Sequence, residues 1–111
     1  MIQDIAGELL VKPVNAALAG DNTVVAAQAG SWIYIYELIG DLSGAATLTT
    51  KSGTIVLDEN FALTTDQGIT LSALANLANV PRYKIPPGND FIINLAPAAS
   101  FIGGCAYAYR S

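Results

Sequence analysis

From residue 22 onward, apolar and polar positions alternate in short runs cut by turn residues, and helical spacing never lasts beyond one turn. The longest run, Gly30-Ser31-Trp32-Ile33-Tyr34-Ile35-Tyr36-Glu37-Leu38-Ile39, mixes β-branched and aromatic residues and predicts the central strand. Alternation puts Ile33 and Ile35 on one face and Trp32, Tyr34 and Tyr36 on the other, so neither face is an ordinary solvated one. The core of a sandwich covers the isoleucines. A neighbouring subunit suits rings that carry a hydroxyl or an indole N–H, because such groups tolerate a half-wet contact. The alternative is a tyrosine-rich face open to water.

The other strands follow from the same alternation. Asn22–Ala27 is the first confident one, and Ala29-Gly30 turns it into the central strand. Gly40-Asp41-Leu42-Ser43-Gly44 reads as a loop, and Ala46–Thr50 as a strand. Ser52-Gly53 makes a tight turn into Thr54–Leu57, which Asp58-Glu59-Asn60 closes. Phe61–Leu63 is a short apolar anchor, and Ile69–Leu71 another strand. Residues 72 to 79 are a long loop, and Tyr83–Ile85 a brief strand before the strong turn signal Pro86-Pro87-Gly88-Asn89. Phe91–Leu95 follows, then Phe101–Arg110, with Cys105, Tyr107 and Tyr109 on one face and Ala106 and Ala108 on the other. About eight short strands at this spacing predict an all-β fold, a single antiparallel β-sandwich or jelly roll.

Residues 1 to 21 differ. Their apolar positions are irregular, Pro13 breaks any helix, and Gly20-Asp21-Asn22 marks a loop, so the chain divides into an N-terminal arm (1–21) and a sandwich domain (22–111). Leu9, Leu10 and Val11 form a short strand, either added to a neighbouring subunit or packed on their own domain. With Ile2 and Ile5 they leave five apolar side chains for a partner to cover.

Composition sharpens the oligomer reading. The chain is 52% hydrophobic and 13% charged, against about a quarter charged in ordinary domains, so apolar surface is expected between subunits as well as within one. No apolar run approaches the roughly 18 residues of a membrane-spanning helix, and no membrane partner is expected. The opening Met-Ile-Gln-Asp-Ile-Ala-Gly-Glu is acidic where a signal peptide is basic, which predicts use without secretion. A net charge of −4 with only Lys12, Lys51, Arg82, Lys84 and Arg110 argues against nucleic acid.

Candidate chemistry is sparse. Without histidine, the serine and cysteine triads that use one are closed, as are histidine metal sites. Asp58-Glu59, with Glu37, Asp41, Asp66 and Asp90, offers carboxylates but reads as solvated turns, and it lacks calcium-loop spacing. The single Cys105 makes no internal disulfide and reads as a buried thiol. No catalytic residue, cofactor or metal is assigned.

Several segments together, Val-Val-Ala-Ala, Ala-Gly-Ser-Trp-Ile-Tyr-Ile-Tyr, Ala-Thr-Leu-Thr-Thr-Lys-Ser-Gly, Pro-Pro-Gly-Asn-Asp-Phe-Ile-Ile-Asn-Leu and Gly-Gly-Cys-Ala-Tyr-Ala-Tyr-Arg, resemble small tailed-phage virion proteins with a jelly roll similar to tumour necrosis factor. The resemblance spans Thr23 to Arg110 and implies a homotrimer that decorates or cements a capsid by binding its major capsid protein. On that reading the protein is made in the host cytoplasm and ends on the virion surface. Trp32, Tyr34, Tyr36, Tyr107 and Tyr109 are the expected subunit interface, and Ile2, Ile5, Leu9, Leu10 and Val11 the expected capsid attachment. The runner-up is a fibre or spike domain that binds a host-cell glycan or receptor. Loops 41 to 45, 58 to 60 and 86 to 90 carry no aromatic residue, which favours the capsid role.

Overall fold

The computed structural model describes residues 9–17, 19–63, 68–72, 81–96 and 99–110. Ile2, Ile5 and nearly all of the expected loop at 72 to 79 lie outside them. The described residues form nine strands: β1 (Leu10–Ala16), β2 (Gly20–Val25), β3 (Trp32–Leu42), β4 (Ala46–Ser52), β5 (Ile55–Leu63), β6 (Gly68–Ser72), β7 (Tyr83–Ile85), β8 (Phe91–Ala96) and β9 (Phe101–Arg110).

One sheet has the order β1-β9-β3-β6, with β7 also paired to β3, and the other has the order β2-β8-β4-β5. Every pairing is antiparallel. Sequential strands therefore cross repeatedly between the sheets, and the two orders are those of a jelly roll. Alternation supplies the core: Ile33, Ile35, Leu38, Leu42 and Phe101 from the first sheet pack with Val25, Leu48, Phe91, Ile93 and Leu95 from the second, all at 1% exposure or less. Thr50 of the second sheet is also fully buried and donates a hydrogen bond to Tyr83 Oη in β7 at 3.1 Å.

Turn chemistry holds the ends. Asn89 N–H donates to Pro86 O at 3.2 Å around Pro87 and Gly88, and Gly88 has φ 94°, the conformation a Pro-Gly turn needs. Ser31 N–H donates to Gln28 O across Ala29-Gly30 in the same way.

Four sequence expectations change. The segment read as an arm holds β1, whose seven residues pair along β9 from Leu10↔Tyr107 to Ala16↔Phe101. Of the two alternatives for Leu9–Val11, the strand on its own domain is the one found, and the second sheet already begins at Gly20. Pro13 hid this, because it removes a ladder donor; β1 is an edge strand, where a residue can do without one. Second, β3 runs on through Gly40 and Asp41 to Leu42, so the expected loop shortens to residues 43 to 45. Third, the hairpin turn is Gly53-Thr54, one residue later than expected, and β5 continues through Asp58-Glu59-Asn60 to Leu63. Fourth, the register between β3 and β9 slips between Ile35 and Glu37, making Tyr36 the extra residue of a bulge.

Candidate interaction face

The outer faces of the two sheets differ in kind. On the second sheet, Thr23, Thr47, Thr49, Lys51, Asp21 and Asn94 alternate with the core residues. Lys51 Nζ donates to both Asp21 carboxylate oxygens at 3.0 Å, and Asn94 Nδ2 donates to Oδ1 at 2.8 Å. The Asn94 bond, then Lys51, holds the Asp21 carboxyl below its ordinary value. That is a mainly polar face held by the Asp21 cluster, with Ile92 and the exposed Val56 beside Lys51 as its apolar members.

The first sheet presents an apolar face. Its rows can be read from the pairing: Val11 beside Ala106 and Glu37, Pro13 beside Gly104 and Ile39, Asn15 beside Ile102 and Asp41. Above these lie Ala108 beside Tyr34 and Lys84, then Arg110 beside Trp32. Val11 is 74% exposed, Ile102 58%, Ile39 45% and Trp32 39%. Four of the seven large apolar side chains that stand exposed among the described residues thus share one face. Gly104 and Ala106 run half-buried along its middle strand, which keeps the centre low and the backbone open to close approach, while Ala108 beyond them is fully covered.

One end of this face is basic and aromatic. Lys84 Nζ stands 5.5 Å and Arg110 Cζ 5.9 Å from the centroid of the Tyr34 ring, both within cation–π range. The other end carries the exposed Asp41, and the exposed Glu37 stands in the middle row.

The pairing divides the five expected interface residues. Trp32 and Tyr34 lie on the outer face. Tyr36, displaced by the bulge, is buried to 8% exposure. Tyr107 and Tyr109 pair with Ile35 and Ile33 and so face inward, where they pack against the core. Their rings meet edge to face at 5.7 Å, and Tyr109 Oη donates to Ala26 O at 2.8 Å. Burial raises the Tyr109 hydroxyl above its ordinary value. Of the expected attachment residues, Leu9 is exposed just before β1, Leu10 is half-buried opposite Tyr107, and Val11 is on the outer face. Sequence reasoning passed over Ile39, Ile102 and Gly104. Their shared face follows from the β3–β9 register, which no local pattern states.

Chemistry of other kinds has little to work with here. Among the described residues no three Cys, Asp or Glu side chains come together as a metal site. Burial pushes the Cys105 thiol up to about 12, well away from the range of reactive thiolates. A groove of about 230 Å³ runs between the open edges β1 and β2, lined by Lys12, Asn15, Asp21 and Thr23 among others.

Comparisons with protein-family models, curated proteins and solved structures each gave no match. The fold and the face therefore stand on their own geometry.

Proposed function

We propose that this chain is a phage capsid decoration protein, a non-enzymatic homotrimer that binds the outer surface of the major capsid protein lattice and stabilises the shell. The observation that carries the reading is the contrast between the two outer faces: a mainly polar one, and a more apolar one that a second subunit would cover. The jelly-roll order of the strands and the resemblance of its strand segments to small phage virion proteins support the capsid as partner. Trp32 and Tyr34, with Ile39, Ile102 and Val11, form the subunit contact in this reading. Leu9, at the edge of the same sheet, remains for attachment. The energetic logic is mass action: a partner that binds only the assembled shell stabilises it, and three linked copies gain avidity by engaging together.

Antibody against the chain, applied to purified virions, tests this. Labelling over the whole shell is expected, and virions that carry no label would end the proposal. A second reading, a fibre or spike domain that takes a host glycan, is favoured by the exposed Trp32, which stands opposite Arg110 and can stack on a sugar ring. It predicts label confined to the fibres.

A further inference from the structure

The apolar face of the first sheet is electrically bipolar. Lys84 and Arg110 flank Tyr34 at one end, Asp41 lies at the other, and Glu37 stands in the middle row opposite Ala106. Tyr34 and Asp41 are seven positions apart on β3, roughly 20 Å along the strand at about 3.3 Å per residue. That exceeds the Debye length of about 8 Å at physiological salt, so within one subunit the Lys84 end and Asp41 do not neutralise each other. Each end keeps its own field.

Resting on the proposed self-association, we propose that the occupant of this face is a second copy of the chain, seated so that Lys84 of one subunit meets Asp41 of the next. Two contact arrangements are open to such a face. With like ends together, Lys84 faces Lys84 and Asp41 faces Asp41, and desolvating like charges at an apolar contact is costly. With unlike ends together, the same apolar centre of Gly104, Ala106, Ile39 and Ile102 is covered, and Lys84 and Asp41 each gain a partner. The low centre allows either approach, so the charges decide between them.

The arrangement also fixes the symmetry axis. Rotation about an axis leaves each atom's position along that axis unchanged. Row 34 of one copy can therefore face row 41 of the next only if the axis runs across the strands of this sheet rather than along them. An axis along the strands would gather the Lys84 side chains at one level. With three copies such a contact is heterologous and closes as a ring; with two it is isologous.

Charge exchange tests the pairing, with mass by light scattering and fold by circular dichroism. Lys84→Glu alone, and Asp41→Lys alone, should each weaken association at least about tenfold and leave the monomer folded, since both side chains are exposed. Combining the two substitutions should restore the wild-type mass. High salt should weaken the wild type and the combined variant alike. If the single-sided variants keep the wild-type mass, or the combined variant fails to recover it, the pairing is wrong while self-association stands. A wild-type chain that stays monomeric at every concentration overturns the trimer reading itself. A wild-type dimer that responds to the charges keeps the pairing and overturns only the count of three.

Discussion

Thr50 Oγ1 donates to Tyr83 Oη at 3.1 Å across the interior of the sandwich, joining one sheet to the other by a polar contact inside an apolar core. Arg82 Nε also donates to the same hydroxyl at 3.3 Å, and the Tyr83 ring packs against Phe91 with centroids 5.8 Å apart. Tyr83→Phe keeps the ring and removes the shared acceptor. It should lower stability by about 1 to 2 kcal/mol, measured as a urea midpoint shift with an unchanged m-value. No shift would mean that the bond contributes nothing net.

Neighbouring glycines in β9 should respond oppositely. A methyl at Gly103 would meet the Ile39 carbonyl oxygen and come within 2.5 Å of Gly40 Cα, both backbone atoms of the paired strand. At Gly104 the nearest atom would be Lys12 O at 3.7 Å, an ordinary contact. Gly103→Ala should cost about 3 kcal/mol and Gly104→Ala less than about 0.5 kcal/mol. Gly104→Arg should then fold normally and fail to self-associate, because Gly104 stands in the centre of the outer face. A folded Gly104→Arg variant that keeps the wild-type mass would remove this face from the subunit contact.

Deletion from the N-terminus should separate residues 1 to 8 from β1. A chain starting at Leu9 keeps all nine strands of the described residues and should unfold cooperatively. One starting at Asp21 loses the ladder along β9 and the buried Val14 and Ala16, so it should lose cooperative thermal unfolding by circular dichroism. Equal melting of the two chains would make β1 dispensable.

Alkaline pH should destabilise the fold through Cys105. Burial pushes its thiol from 9.0 to about 12, with Glu37 adding to the rise and Lys12 opposing it. Above about pH 9 the unfolded chain releases this proton while the native chain holds it. Stability from this group is therefore complete below pH 9 and falls as pH rises, by up to about 1.4 kcal/mol per unit. Urea midpoints on either side of pH 9 measure the slope, and Cys105→Ala should flatten it. An equal slope in that variant would assign the effect to other groups, such as Tyr109, whose hydroxyl burial also raises.

Strand existence was legible because local alternation reports burial directly: β7, β8 and β9 start where their first apolar residues stand. What one strand does to another was not. Tyr107 and Tyr109 alternate as cleanly as Tyr34, yet whether they share its face depends on register, and the bulge at Tyr36 resets that register in mid-strand. Pro13 misled for a related reason, since its cost depends on whether the strand is central or at an edge. The interaction face was half legible: Trp32 and Tyr34 announced it by type, while Ile39, Ile102 and Gly104 joined it through pairing alone.

The last strand in sequence, β9, lies between β1 and β3, so the first sheet has no centre until residues 101 to 110 exist. During synthesis β1 must wait through more than 80 residues for its neighbour, and β3 for nearly 60. The second sheet is completed earlier, when β8 closes against β2 and β4. A ribosome-bound chain lacking β9 would thus carry one finished sheet with its core side uncovered. Folding of the whole should wait for β9 and be slow for a domain of this size, as its dominance by long-range pairing demands.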